Sequence, residues 1–139
     1  MTASITLFYA ALCGLILIIL SVKVVALRRR HQVGIGDGEQ ADLERAIRVQ
    51  GNFVEYVPIG LLLLLLLELG AVLPGWLLHV LGASLVLARM LHGFWGLNRT
   101  EGVSRGRFLG TLLTWSTLIV ASLIGLWLAL GHWLFLSGS

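Results

Sequence analysis

The residues best suited to chemistry lie in one polar stretch, Glu44 to Pro58, within an otherwise apolar chain. Four of its polar residues follow one another at steps of three, four and three, and a helix places such residues on one face. They are Arg45, Arg48, Asn52 and Glu55. An ionisable group in the hydrocarbon region of a membrane costs about 2.5 kcal/mol or more, so it normally faces the bundle interior. Two interpretations stay open: a site that binds a ligand, or a hydrogen-bonded network that fixes helix packing.

A second group of basic residues points to the same place. Arg105 and Arg107 open the last apolar segment. Together with Arg48 they could surround a small anionic ligand, because guanidinium groups form strong paired hydrogen bonds with carboxylates. The alternative is that they contact lipid phosphate. His92 is a further candidate for lining this polar space, with a packing role as the alternative.

Arg89 is a further charged residue, near the middle of the third apolar segment. Glu55 lies seven residues past Arg48, about 10 Å along a helix, and Arg89 lies ten residues before Arg99, about 15 Å. The two side chains therefore reach similar depths. Since either charge alone would be expensive in the membrane, we expect Arg89 and Glu55 to pair or to share a network.

No metal site is predicted from the histidines and the cysteine. No two histidines have the i, i+3 or i+4 spacing of helical ligands, and a single cysteine can form neither a disulfide within the chain nor a thiolate cluster. These residues are His31 in a predicted loop, His79, His92, His132 and Cys13. In its apolar run, the cysteine is expected to pack as a small hydrophobic residue.

Composition identifies the elements that must position these groups. Of 139 residues, 58% are hydrophobic and only 12% are charged, with a mean hydropathy of +0.93, whereas a soluble domain has about 25% charged residues. We predict an all-α, integral membrane four-helix bundle, because spans of about 20 residues use nearly the whole chain. The predicted spans are 3–27, 42–70, 76–97 and 105–135. Asp42, or the pair Asp37 and Gln40, is expected to cap the second helix.

The distribution of positive charge predicts the orientation. Apart from Arg89, every lysine and arginine lies in or beside the first or third connection. The positive-inside rule then makes both connections cytoplasmic and both termini external. The net charge of +3 thus reflects membrane orientation, and no nucleic-acid partner is predicted.

The polar stretch resembles the second-helix signature of the MAPEG family, the membrane-associated proteins in eicosanoid and glutathione metabolism. The residues that carry the resemblance are Glu44, Arg45, Arg48, Gln50, Asn52, Glu55, Tyr56 and Pro58. The pair Ala88-Arg89 followed by Gly96, and the basic start of the last helix, are also similar to that family. The resemblance covers roughly Arg28 to Trp115. The short chain and its GIGDG loop are more similar to bacterial members, which implies a bacterial inner membrane.

This resemblance implies a homotrimer that binds glutathione between neighbouring subunits, in the cytoplasmic half of the membrane. One subunit would contribute Arg48, Asn52, Glu55 and Tyr56, and the adjacent subunit would contribute Gln50 and one of Arg28 to Arg30, taken as Arg30. The arginine that activates the thiol corresponds to Arg105, with Arg107 as the alternative. Two tyrosines that help to hold glutathione in the animal leukotriene-forming member are replaced here by His92 and Leu97.

The function implied is that of a glutathione-dependent transferase that acts on lipophilic electrophiles. A peroxidase activity is the second activity that the resemblance leaves open. Glutathione would be the co-substrate, and no metal is expected. Membrane lipid would surround the trimer and deliver the electrophile. The alternative is a non-catalytic membrane protein of the same fold that binds a lipid or a partner, since a fold alone does not determine activity.

Overall fold

Long helices make up most of the chain in the computed structural model, which describes residues 3–71, 73–93 and 105–137, with side chains as far as residue 134. In chain order the helices are α1 (Ser4–His31), α2 (Ala41–Leu69), α3 (Gly75–Met90) and α4 (Arg105–Ser137). Residues 91–93 continue α3 as a π-helical turn. Including that turn, all four helices are long and apolar enough to cross a membrane. The predicted all-α, four-helix architecture is therefore confirmed.

Successive helices run in opposite directions. The start of α1 contacts the end of α2 through Ile5 and Glu68, and the end of α1 packs against the start of α2 through Val24 and Leu43. Both α1 and α4 pack against α2 and α3, and within the described ranges α1 and α4 do not contact each other. The helices α2 and α3 therefore form the centre. We call the end where α1 stops and α2 starts the basic end, because Arg28 to Arg30 lie there.

The end of α1 corrects one predicted boundary. The apolar span was expected to end at about Leu27, with His31 in a loop; the helix continues to His31, so the three arginines lie in its last turn and His31 is helical. Gln32 then adopts a left-handed conformation with φ of 58°. The N–H of Val33 donates to the carbonyl of Arg28 at 3.0 Å, which satisfies a carbonyl that the helix leaves open. This backbone cap, invisible in the hydropathy pattern, sets the boundary.

The start of α2 differs from the predicted cap. Gln40 occupies the capping position without a side-chain hydrogen bond, so neither Asp42 nor a pair formed by Asp37 and Gln40 caps the helix. Asp42 lies within the first turn, where its Oδ2 is 3.0 Å from Nε2 of His31. Asp37 instead accepts the N–H of Glu39 at 3.2 Å within the loop. The other oxygen of Asp42, Oδ1, accepts the N–H of Leu43 at 2.9 Å, so this carboxylate ties the end of α1 to the first turn of α2.

The beginning of α3 agrees with the prediction to within one residue. Pro74 precedes the helix, and its fixed φ and missing N–H suit that position. The predicted continuation of this span to Leu97, and the whole third connection, lie outside the described residues.

The interior is a stack of three apolar layers. The layer at the basic end contains Val24, Leu43 and Ala46. The middle layer contains Cys13, Leu20, Val49, Phe53 and Val57, and the layer at the opposite end contains Tyr9, Leu64, Leu67, Leu78, Leu81 and Ala121. Outside these layers, large apolar side chains such as Leu15 (66% exposed) and Trp127 (72% exposed) face away from the bundle. A surface this apolar suits lipid rather than water.

Glu68 of α2 caps the first helix across the bundle. Its carboxylate oxygens accept the backbone N–H groups of Ile5 at 2.9 Å and Thr6 at 2.7 Å. Ala3, which precedes α1, offers no side-chain acceptor. A carboxylate next to a helix N-terminus also interacts favourably with the helix dipole. Glu68 therefore anchors the start of α1 to the end of α2.

We expect Glu68→Ala to lower the stability of the bundle by about 1–2 kcal/mol, the usual cost of losing a helix cap. Thermal unfolding of the purified protein in detergent measures this as a lower melting temperature. Leu69→Ala is the control, because it removes a side chain at the adjacent, exposed position. Equal melting temperatures for Glu68→Ala and Leu69→Ala would contradict the capping role.

Candidate functional site

The polar stripe of α2 forms one wall of a cavity of about 560 Å³ at the basic end of the bundle. We call this the α2 cavity. Its polar lining comes from Glu44, Arg45, Arg48, Asn52 and Glu55 on α2, His92 on the π-helical turn after α3, and Arg107 on α4. The structure thus brings together five of the residues that the sequence nominated for a site: Arg48, Asn52, Glu55, His92 and the alternative Arg107. The volume lies within the range of about 300–1,000 Å³ found for small-molecule sites.

Charges of both signs line the α2 cavity. The lining includes two arginines and two glutamates from α2, and one arginine from α4. Arg48 and Glu55 are exposed, whereas His92 is buried, so one side of the cavity is open and the other is closed by α3. Such a lining suits a ligand that carries carboxylate and amine groups together, because each ligand charge can find an opposite one.

Two small residues of the lining were not nominated from the sequence. Ala41 and Gly51 lie on the same side of α2 as the charged residues, and a Cβ atom added to Gly51 would meet nothing within 4 Å. The sequence did carry a signal for Gly51, because Gly51 follows Arg48 by three residues and so lies on the same helical face. It was overlooked because a residue with no functional group suggests no chemistry.

Behind the cavity, Arg89 is buried, with only 5% of its surface exposed. Its Nη1 donates to the side-chain oxygen of Asn52, and its Nη2 donates to the hydroxyl of Thr114 and to the carbonyl of Gly110 at 3.4 Å. The guanidinium carbon lies 5.4 Å from the centre of the Tyr56 ring, a distance at which the ring face attracts a cation. Arg89 therefore joins α2, α3 and α4.

Arg89 and Glu55 were expected to pair or to share a network, and within the described part of the single chain they do not form the direct pair. Among the described residues, the polar partners of the Arg89 guanidinium are an amide, a hydroxyl and backbone carbonyls, and Glu55 is exposed on the cavity side of α2. The reason is the helical register: Asn52 and Tyr56 are one turn apart and flank Arg89, while Glu55 is turned away. Neutral dipoles solvate the buried charge, and Glu55 remains available to the cavity.

A close approach between α3 and α4 makes the Arg89 contacts possible. A Cβ atom added to Gly110 would lie 2.6 Å from the backbone nitrogen of His92 and 2.7 Å from the carbonyl oxygen of Ala88. Only glycine fits at this crossing, because both neighbours are backbone atoms that cannot rotate away. The contact brings Thr114, one turn further along α4, to Arg89 and packs His92 beside the cavity.

Other nominated residues lie elsewhere in the single chain. Gln50 donates from Nε2 to the hydroxyl of Ser21 on α1 at 2.8 Å, and Arg30 is exposed at the end of α1. Neither lines the α2 cavity, and both had been assigned to the adjacent subunit of an assembly. Arg105 is exposed at the start of α4 and is absent from the lining, whereas Arg107 is part of it. Tyr56 packs under Arg89 behind the cavity wall.

Comparison with known proteins identifies the family. The sequence profile of the MAPEG family matches residues 6–127. The chain belongs to the MAPEG family. It is similar to inner membrane protein YecN of Escherichia coli K12, with 37% identity over 119 residues that cover 86% of this chain and 88% of YecN. YecN of Escherichia coli O6:H1 gives the same values. No solved structure gives a significant match.

The family match extends beyond the segment that suggested it. The resemblance was stated for roughly residues 28–115, and the profile match includes most of α1 and much of α4 as well. Taken together with the inner-membrane relative, the four apolar helices of this MAPEG protein support an integral inner-membrane location.

Thr114→Val tests whether the Arg89 contacts hold the site together. We expect Thr114→Val to lower the free energy of unfolding by about 1.5–3 kcal/mol, because the substitution leaves the buried guanidinium of Arg89 without one of its acceptors. Thr117→Val is the matched control, since Thr117 is also buried on α4 but its hydroxyl donates to the carbonyl of Leu113 on its own helix. Thermal unfolding in detergent should separate the two variants. A similar melting temperature for both would count against the role of Arg89.

Proposed function

We propose that this MAPEG protein is a glutathione-dependent transferase that acts on lipophilic electrophiles at the α2 cavity. The observation that supports the proposal most directly is the convergence of Arg48, Asn52, Glu55 and Arg107 on one cavity. Helices α2 and α4 approach each other there, so two distant parts of the sequence supply one mixed-charge lining. A soluble tripeptide entering from the basic end would meet that lining first.

The chemistry of the lining suits glutathione. This tripeptide carries two carboxylates, one ammonium group and a thiol, all at neutral pH. Arg48 would bind a carboxylate through its forked N–H groups, and Glu55 would bind the ammonium group. Asn52 is held in place by Arg89 and would use its remaining amide N–H groups on the peptide backbone. The open side of the cavity leaves room for the thiol to face the bilayer.

Activation of the thiol would fall to an arginine at the start of α4. A free thiol has a pKa near 8.5 and is mostly protonated at neutral pH, and a neighbouring guanidinium stabilises the thiolate. The thiol proton leaves to solvent, the sulfur attacks the electrophilic carbon, and the leaving group departs with its electron pair as a new carbon–sulfur bond forms. Arg107 is the better placed residue in the single chain, and Arg105 is the alternative.

We further propose that the active form is a homotrimer with the basic end in the cytoplasm and both termini outside. In such an assembly Arg30 and Gln50, which do not line the cavity of their own chain, would reach the site of a neighbouring subunit. The lipophilic substrate would enter sideways from the membrane, where it is already concentrated, while glutathione enters from the aqueous side.

Conjugation of glutathione to 1-chloro-2,4-dinitrobenzene by the purified protein tests the proposal. We expect Arg48→Ala to raise the KM for glutathione about 10- to 100-fold, the effect of losing a charge-assisted hydrogen bond. The activity should rise with pH as the thiol ionises. In the variant that lacks the activating arginine, either Arg107→Ala or Arg105→Ala, the midpoint of this rise should move up towards the pKa of a free thiol. Lys23→Ala is the charge control, because Lys23 is exposed on α1 away from the cavity. Unaltered turnover in all three arginine variants would defeat the assignment.

One observation favours a second candidate, a non-catalytic protein that binds a lipid or partner at the same cavity. Tyr56 is engaged with Arg89 instead of lining the cavity, and the chain has only one other tyrosine, Tyr9, which packs near the opposite end. A tyrosine contact to the ligand is therefore missing in the single chain. Isothermal calorimetry separates the candidates: glutathione binding at millimolar concentration supports the transferase, and its absence supports the second candidate.

A further inference from the structure

Pro58 belongs to the polar stretch, but the proposed site gives it no role. It lies inside α2, which continues as a helix from Ala41 to Leu69. Proline has no N–H and is the least favourable residue in a helix interior. Because that N–H would have bonded to the carbonyl four residues earlier, the carbonyl of Val54 lacks its helical donor. In a membrane, such a carbonyl must receive a hydrogen bond from a donor outside the backbone of its own helix.

The surroundings of the Val54 carbonyl leave it accessible. The polar side chain one turn earlier is engaged elsewhere, since Gln50 donates to the hydroxyl of Ser21 on α1 at 2.8 Å. Pro58 is exposed, and the side chain of Val54 is 48% exposed, so this part of α2 faces away from the bundle of the single chain. A ligand on that open side is therefore able to supply the missing donor.

Glu55 lies between Pro58 and a second position at which α2 exposes its backbone. Gly51, Glu55 and Pro58 follow at steps of four and three residues and so share one helical face. Both Gly51 and Glu55 are exposed, and both line the α2 cavity. A Cβ atom added to Gly51 would meet nothing within 4 Å, and its φ is not positive. Neither packing within the chain nor backbone conformation therefore requires glycine here, whereas glycine does allow a ligand to approach the backbone closely.

The groups on this face select the chemistry of the ligand. The Glu55 carboxylate and the Val54 carbonyl are both acceptors, and the carboxylate carries a negative charge. A primary ammonium group has three N–H donors, no acceptor and a positive charge, so one such group can donate to both. A hydrogen bond between ammonium and carboxylate is also stronger than one between neutral groups. A primary ammonium group therefore matches this face of α2.

From these observations we infer that Glu55 and the Val54 carbonyl that Pro58 leaves without a donor form a subsite for a primary ammonium group. Gly51 allows that end of the ligand to lie against the backbone of α2. The inference rests on the proposed function of the α2 cavity and deepens it, because the subsite selects thiols that carry a free amino group. Arg48, two turns earlier on the same face, binds a carboxylate of the same molecule.

Isothermal calorimetry with two ligands tests the subsite. One ligand is glutathione, and the other is glutaryl-cysteinylglycine, the same tripeptide with hydrogen in place of the ammonium group. We expect the wild-type protein to bind glutathione about 10- to 100-fold more tightly. Pro58→Ala returns an N–H to the Val54 carbonyl, so it should weaken glutathione binding about tenfold and analogue binding less than twofold. The melting temperature of this variant should not fall, because alanine is more favourable than proline within a helix.

Pro74→Ala is the matched control. It replaces the only other proline of the chain, which precedes α3 at the opposite end of the bundle and does not line the α2 cavity. We expect it to change the binding of either ligand less than twofold. Equal weakening of both ligands by Pro58→Ala would indicate a change in the shape of α2 and overturn the subsite, as would unchanged binding of both.

The wild-type protein separates failure of the subsite from failure of the proposed function. Equal affinities for glutathione and glutaryl-cysteinylglycine would overturn the subsite alone, because the α2 cavity would still bind the tripeptide. Absence of binding of either ligand at millimolar concentration would overturn the transferase proposal and the subsite with it.

Discussion

The buried charge of Arg89 constrains this structure more than any other single group. A guanidinium inside a membrane bundle must be solvated by protein groups, because neither water nor lipid can do so at an acceptable cost. Here the amide of Asn52, the hydroxyl of Thr114 and the carbonyl of Gly110 supply that solvation, and the ring of Tyr56 covers one face. Three helices must therefore meet at one point and in one register.

The same requirement shapes the α2 cavity. Asn52 contacts Arg89 and also lines the cavity. The same residue therefore contributes both to helix packing and to the cavity wall. Glu55 lies on the cavity side, while neutral groups accept hydrogen bonds from both terminal nitrogens of the buried guanidinium. The interpretation as a packing network applies to the part of the stripe that contacts Arg89, and the part that faces the cavity carries the proposal of a ligand site.

Much of this was predictable from the sequence. The four spans, the common face of Arg48, Asn52 and Glu55, and the family follow from apolar length, helical periodicity and motif, which are local properties. The structure departs from the predictions where segments meet: Asp42 lies inside the first turn of α2 beside His31 and not at the capping position, Arg89 contacts Asn52 and forms no direct pair with Glu55, and His31 is the last residue of α1 and not part of a loop. Each of these contacts depends on the distance between two separate segments, and residue spacing along one segment does not determine that distance.

The amino-acid order alone determined that the chain forms four apolar helices with a polar stripe on the second. Hydrophobicity and the helical period of 3.6 residues are local properties that can be read from neighbouring residues. The tertiary structure decided which members of that stripe solvate a buried charge and which face a cavity. It also decided that Arg107, and not Arg105, joins that cavity in the single chain. The physical reason is that the close approach at Gly110 fixes the rotation and depth of α4 against α3, and such a rotation is set by contacts between helices and not by either helix alone.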